Sequence, residues 1–257
     1  MIPVAILCGG SGTRLREQTE FIPKPLIPIG GIPMVVHIMR HYAHYGFKKF
    51  VLALGYKQDA FKEYFVNYDA INNDITVDIG RYRGVSFSDT QDWGMSVTLA
   101  DTGMNTLKGG RLKRIERYIQ GDTFMLCYGD GVSDINIPAL LEFHKSHGKL
   151  ATVTGVHAIP RFGEVHHKDD CVLSFSEKPL RDDCLINGGY YIFNRGIFDY
   201  LVEEEYCDLE VGTLDLIAAK GEMMVYKHTG YWACMDSLKD MDNLQNEWAS
   251  GKARWKI

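Results

Sequence analysis

Three glycines within four residues, Gly9, Gly10 and Gly12, directly follow the apolar run Val4–Leu7 and constrain the fold more than any other feature. The segment reads Leu7-Cys8-Gly9-Gly10-Ser11-Gly12-Thr13-Arg14-Leu15. Glycine lets a backbone turn tightly and bring its N–H groups close to a ligand. Successive N–H donors make an anion-binding concavity, and the Arg14 guanidinium suits forked contacts with phosphate. No Gly-Lys-Ser/Thr follows, so this is not a Walker loop, and Leu15 stands where a dinucleotide fingerprint needs its third glycine. Taken alone, the segment reads equally as a structural turn.

The runs Val4–Leu7, Phe50–Leu54 and Phe124–Cys127 are continuously apolar, as expected of parallel strands buried on both faces. Helical spacing predicts helices over Met34–His44, Asp59–Tyr68 and Ile137–Ser146, with Pro33 and Pro138 near two of the starts. Strands alternating with helices imply β-α-β units and a mostly parallel sheet. Beyond about Leu150 the texture changes to strand-like Leu150–Val156, Cys171–Ser176 and Tyr190–Phe193, then a helical tail over Lys239–Ala249. Ile79–Ser96, with Arg81, Arg83, Asp89, Asp92 and Trp93, reads as a long polar loop serving function or assembly. There is no repeat or long linker, so one compact unit is expected, 1–257.

Composition removes several classes. With 28 Lys+Arg against 33 Asp+Glu the chain carries a net charge of −5, which argues against nonspecific nucleic-acid binding. No apolar run approaches the roughly 18 residues of a membrane span, and neither a span nor a signal peptide is expected. The six cysteines include no C-x-x-C pair, and scattered free thiols fit a reducing, cytoplasmic setting.

Lys24 stands in Pro23-Lys24-Pro25-Leu26, where prolines fix the backbone on both sides and lower the entropy of holding its ammonium against phosphate. Asp130 sits between two glycines at the end of an apolar strand, where α/β sheets place ligand groups; it also reads as a capping or turn aspartate. Asp236 ends another apolar approach, and reads equally as the cap of a helix starting near Ser237. His166-His167 beside Asp169-Asp170 is expected to be a polar hairpin turn rather than a metal cluster, because adjacent residues of a strand point apart. The basic run Lys108, Arg111, Lys113, Arg114 and Arg117 is expected to form a solvated face or a subunit contact.

Together, Gly-Gly-Ser-Gly-Thr-Arg and Pro-Lys-Pro-Leu resemble the sugar-1-phosphate nucleotidylyltransferases, and more narrowly the glucose-1-phosphate cytidylyltransferases. The resemblance runs nearly end to end, through Asp101-Thr102-Gly103, Gly109-Gly110-Arg111-Leu112-Lys113-Arg114, Tyr128-Gly129-Asp130-Gly131, Arg161-Phe162-Gly163, Glu177-Lys178-Pro179, Ile186-Asn187-Gly188-Gly189 and Gly230-Tyr231-Trp232. It implies a Rossmann-like mixed sheet flanked by helices, with a nucleotide-binding part about 1–150 and a smaller acceptor-binding lobe about 151–257. Leu7, Cys8, Gly9, Gly10, Ser11, Gly12, Thr13, Arg14, Lys24, Thr106, Arg111 and Gly129 would then meet the nucleotide. Glu177, Lys178, Asn187, Gly188 and Gly189 would meet the acceptor; a β-bulge is the alternative account of the two glycines. Asp130 and Asp236 match metal-binding positions, with Mg²⁺ as the ion, and Arg14, Lys24 and Asp130 would be catalytic.

The implied reaction joins CTP and α-D-glucose 1-phosphate into CDP-glucose and pyrophosphate, in a homo-oligomer of trimeric or hexameric type. Its nucleophile is already an anion, so the barrier is repulsion between polyanions; two charges 4 Å apart interact by about 4 kcal/mol at an effective dielectric near 20. Cations rather than a general base should carry the chemistry. One segment departs from the family pattern: Gly212 and Thr213 stand where a second glutamate and a proline are usual. A different phosphorylated acceptor therefore stays open beside glucose 1-phosphate, as does a non-catalytic nucleotide-sensing module on the same fold.

Overall fold

The computed structural model describes residues 2–80, 84–88, 92–157, 163–176 and 184–257. Seven strands form the central sheet: Val4–Leu7 (β1), Lys49–Leu54 (β2), Ser96–Asp101 (β3), Thr123–Tyr128 (β4), Ala151–Val156 (β5), Ile186–Asn194 (β6) and Met223–His228 (β7). Their spatial order is β7-β5-β6-β4-β1-β2-β3. β3, β2, β1 and β4 run parallel; β6 is antiparallel to both β4 and β5, and β7 pairs parallel with β5. The expected mixed, mostly parallel sheet is therefore observed.

The apolar runs become strands because both faces of the sheet are covered. Val4 and Ile6 of β1, Phe50, Leu52 and Leu54 of β2, and Met125 and Cys127 of β4 enter one core. Ala5, Val51, Ala53, Phe124 and Leu126, the alternate residues of the same strands, enter the other. Helices Met34–His44 (α1) and Ile137–His147 (α2) supply Met39, Ile38 and Leu140 to the first core; Leu112 and Ile115 flank the second. A fully buried leucine-sized side chain contributes roughly 1.5–3 kcal/mol, so strand and helix are stabilised mainly by this sandwiching.

Chain order reverses at β1: the path goes outward through β2 and β3, then returns to lay β4 on the other side of β1. In open α/β sheets this switch point opens a crevice at the strands' carboxyl ends, where ligands bind. Leu7 and Tyr128, the last residues of β1 and β4, are register partners there, and both line the crevice.

Two local expectations are corrected. Ile79–Ser96 is not one long loop: Ile75–Asp78 and Gly84–Phe87 pair as an antiparallel hairpin, which starts upstream of the polar stretch. All eight hairpin residues are exposed, so no buried face betrays them. Asp59–Tyr68 is not one helix either, since Asn67 separates Gln58–Val66 from Tyr68–Asn72. Arg81, Arg83 and Asp89 lie outside the described residues, as do Arg161 and Phe162. Glu164–Lys168 and Cys171–Ser176 pair around Asp169-Asp170, giving the expected polar hairpin. Among the described residues no helix is long and apolar enough to cross a membrane.

Candidate active site

A crevice of about 440 Å³ opens at the switch point. It is lined by the glycine loop, by Lys24 and Pro25, by Thr106–Lys108 and Arg111, by Tyr128–Asp130, and by Asp208 and Asp236. Every residue expected at the nucleotide lines it except Ser11, which is exposed beside it.

Hydrogen bonds and close packing shape the loop. The Tyr56 N–H donates to the Gly9 carbonyl (3.1 Å), and Thr19 Oγ1 donates to the Gly12 carbonyl (3.1 Å). A Cβ on Gly12, whose φ is +62°, would lie 2.7 Å from Thr19 Cγ2; one on Gly9 would lie 2.1 Å from Arg111 Nη1. Glycine at these two positions is thus required by the chain's own packing, whatever binds above.

Arg111 is the strut below the loop. Its guanidinium donates to the carbonyls of Leu54 (3.0 Å), Gly103 (2.7 Å), Gly9 (3.0 Å) and Met104 (3.0 Å), and to Thr102 Oγ1 (2.9 Å). The residue is only 4% exposed, which corrects the expectation that its basic run forms a solvated face. Arg114 donates to the Thr102 carbonyl and to Thr106 Oγ1, both at 2.8 Å, and Lys113 to the Phe198 carbonyl at 3.0 Å. The positive charges of Arg111, Lys113 and Arg114 therefore tether loops of the same chain, while Arg117 stays exposed. Burial, with Arg114 nearby, lowers the Arg111 pKa from its ordinary value, yet an arginine stays protonated.

The cationic and acidic groups meet at the crevice mouth. Lys24 Nζ donates to Asp130 Oδ2 (2.7 Å) and Asp236 Oδ1 (2.6 Å), and Arg14 Nη1 donates to Asp236 Oδ2 (3.1 Å). Burial alone would lower the Lys24 pKa, but the Asp130 charge and the two carboxylate hydrogen bonds outweigh it and hold the ammonium above its ordinary value.

A short ribbon makes the meeting possible. Trp232–Cys234 pairs antiparallel with Gly131–Ser133, placing Cys234 opposite Gly131, and the Met235 N–H donates to the Asp130 carbonyl (2.9 Å). The two aspartates thereby flank one ribbon end. The cap of the following helix, Leu238–Ala249 (α3), is Ser237 in a capping box with Asp240, so the Asp236 carboxylate is left to Lys24 and Arg14. Asp130 starts no helix; it lies in a turn leading into Gly131–Ser133.

On the β6 side, Gly188 and Gly189 are buried, and the register between β5 and β6 shifts opposite them, so the bulge is present. Asn187 Nδ2 donates to Tyr191 Oη, and its Oδ1 accepts the Gly189 N–H (2.8 Å). The Tyr128 hydroxyl lies beside both tyrosine and asparagine and donates to Glu210, which also receives the Lys108 ammonium. Glu177 and Lys178 lie outside the described residues.

Leu107, Lys108, Tyr128 and Asp208 line the crevice but were not singled out as site residues in the sequence. Tyr128 and Lys108 had a signal: Tyr128 stands within a quoted motif, and Lys108 opens the basic run beside another. Asp208 had none: it enters by capping Leu209–Leu214, where its carboxylate accepts the Glu210 N–H (2.8 Å).

The nucleotidyl transferase profile matches residues 4–240. The chain belongs to this family. As a member of the nucleotidyl transferase family it is an enzyme of that class. The glucose-1-phosphate cytidylyltransferase of Salmonella typhimurium is 42% identical over 253 residues, covering 98% of this chain and 97% of the relative. That of Salmonella typhi is likewise 42% identical over 253 residues, with the same coverage. Among solved structures, HddC from Yersinia pseudotuberculosis complexed with GMP-PN superposes with a TM-score of 0.67 at 22% identity, covering 96% of this chain and 100% of that one. This last likeness carries the family fold.

Proposed function

We propose that this nucleotidyl transferase joins CTP and α-D-glucose 1-phosphate into CDP-glucose and pyrophosphate. The observation that carries the reading is Lys24 clamped between Asp130 and Asp236 at the mouth of a glycine-loop crevice. Cytosine and glucose rest on the near full-length relative named for that reaction. A non-catalytic sensing module would be expected to have lost a metal carboxylate or a phosphate lysine, whereas Asp130, Asp236, Lys24 and Lys178 are all present.

The sugar phosphate oxygen attacks the α-phosphorus, a new P–O bond forms, and the bond to the β-phosphate bridging oxygen breaks. Exposed N–H groups of the glycine loop would cradle the triphosphate, with Arg14 at its rim. Lys24, held charged, neutralises developing phosphate charge; a charge-assisted contact of this kind is worth about 1.5–3 kcal/mol.

Enzymes of this family are generally dependent on a divalent metal. Asp130 and Asp236 fit Mg²⁺: their oxygens are hard donors, and the pair already stabilises one cation, the Lys24 ammonium. Held there, Mg²⁺ would supply charge neutralisation at the triphosphate.

The part about 1–150 serves the nucleotide, joined by Asp236 across the ribbon, and the part about 151–257 serves the acceptor, with Glu177, Lys178, Asn187, Gly188 and Gly189 at the sugar phosphate. The exposed apolar residues Ile75, Val77, Val85 and Phe87 of the hairpin support a homo-oligomer, and six free thiols support a cytoplasmic setting.

A second reading is cytidylyl transfer to a different phosphorylated acceptor. Gly212, at φ +98°, kinks the segment that starts at crevice-lining Asp208 and carries Glu210 onto Tyr128. This is the segment that departs from the family pattern.

A grid of CTP, UTP, dTTP and ATP against phosphorylated acceptors, with products identified by mass, tests both. The expected result is CDP-glucose, with CTP preferred. CTP turnover with a non-sugar phosphate and little with glucose 1-phosphate selects the second reading; no CTP turnover with any acceptor overturns both.

A further inference from the structure

Cys234 stands at the ribbon end beside the two aspartates and has no role in the proposed nucleotidyl transfer. One carboxylate oxygen each from Asp130 and Asp236 and the Cys234 sulfur all lie within 4.8 Å of one another. The three residues are half-buried and belong to the paired strands and turn that fix the ribbon end, so their spacing is set by backbone hydrogen bonds. The point between the carboxylates already favours positive charge, because Lys24 Nζ bridges them at 2.7 and 2.6 Å.

We propose that Asp130, Cys234 and Asp236 form a three-donor site for a thiophilic divalent cation such as Zn²⁺ or Cd²⁺. Zinc bonds run about 2.0–2.3 Å to oxygen and thiolate, so donors separated by little more than twice that length close on one ion with small side-chain rotations. Mg²⁺ takes oxygen donors and leaves the thiol aside; a softer ion gains the sulfur as a third ligand. As the metal–sulfur bond forms, the thiol proton passes to solvent, and the ion takes the place of the Lys24 ammonium between the carboxylates. Three protein ligands leave a position open to water or a phosphate oxygen, the arrangement of an accessible zinc site.

The consequence for activity rests on the proposed reaction: Zn²⁺ would occupy the carboxylates that the reaction needs and displace the lysine from them. Micromolar Zn²⁺ or Cd²⁺ would then inhibit turnover supported by Mg²⁺, and a chelator would reverse the inhibition.

The site itself is tested without nucleotide or acceptor. Co²⁺ is titrated into the full-length protein while the near-ultraviolet thiolate-to-cobalt charge-transfer band is followed, and Zn²⁺ is then used to displace it. The expected result is a saturable band in the wild type, bleached by Zn²⁺. Cys234→Ser and Cys234→Ala should lack the band and bind Zn²⁺ about tenfold more weakly or worse, the scale that even an outer-shell partner carries.

Cys171 and Cys184 are also exposed thiols, so the titration is repeated with both replaced by serine. A band that disappears with those two, or that persists in Cys234→Ala, overturns the proposal, as does cobalt binding with no charge-transfer band. Production of CDP-glucose by a protein without the band would overturn this site alone. A band in a protein that makes no CDP-glucose would overturn the reaction alone.

Discussion

Lys24 and Asp130 are 106 residues apart in sequence and 2.7 Å apart in space. One side chain rises from a proline-braced turn after the glycine loop and the other from the end of β4. Asp236 closes on the same ammonium from 212 residues away. The crevice thus gathers its charges from three distant stretches of chain.

Asp130→Asn and Asp236→Asn keep the shape of each side chain and remove one charge. Nucleotidyl transfer should fall by about two decades or more, as losing several kcal/mol of charge stabilisation requires. Circular dichroism and melting temperature should stay near wild type. Initial rates with CTP and glucose 1-phosphate check this, and wild-type turnover by both variants would remove the carboxylates from the chemistry.

Lys24→Met should act on stability as well as rate. With its side chain only 11% exposed, the lysine is the cation that both carboxylates share. Its loss should lower the rate by about one to two decades. It should also lower the melting temperature in chelator, and Mg²⁺ should restore part of that loss by replacing the missing charge. Arg14→Ala, at an exposed pair, should leave stability within about 1 kcal/mol while slowing turnover. Thermal melts with and without Mg²⁺ separate the two.

Gly9→Ala and Gly10→Ala should behave oppositely. A methyl at Gly9 meets the Arg111 guanidinium, whereas one at Gly10 has nothing within 4 Å. Gly9→Ala should cost about 1–3 kcal/mol by overpacking and weaken CTP binding as the loop loses its strut. Gly10→Ala should change stability by no more than about 0.5 kcal/mol. Denaturant midpoints and CTP titrations give the comparison; equal effects would deny Arg111 its positioning role.

Acid should destabilise the fold through buried histidines. Burial lowers the pKa values of His37, His41 and His144 below 6.5, outweighing the hydrogen bonds that oppose it. His37 Nε2 lies 2.9 Å from the Ile29 carbonyl and His41 Nε2 2.8 Å from that of Ile135. The unfolded chain binds protons first as pH falls, so their contribution is full above pH 6.5 and is lost as pH drops through the lower folded values. Urea midpoints measured downward from pH 8 should decline below that point, and His41→Gln should make the decline shallower.

The sequence by itself determined three of the four strands of the parallel half, β1, β2 and β4, because strands covered on both faces must be continuously apolar, and Val4–Leu7 reads that way residue for residue; β3, with its polar residues and partly exposed pattern, was not legible. It also marked the glycine loop at the crevice, since glycine clustering after a strand is a local property. It placed Lys24, Asp130 and Asp236 as candidates, each within a local motif. Only the tertiary structure decided that one ammonium bridges both carboxylates, because that depends on the Gly131–Ser133 and Trp232–Cys234 ribbon, a pairing of segments a hundred residues apart. It alone turned a basic run into the strut of Arg111, since burial of a guanidinium among carbonyls has no signature in charge patterning. The exposed hairpin at Ile75–Asp78 and Gly84–Phe87 escaped for another reason: Ile75, Val77, Val85 and Phe87 do alternate with polar residues, but each run is only four residues long and neither strand is buried, so the pattern stays below what periodicity can assign.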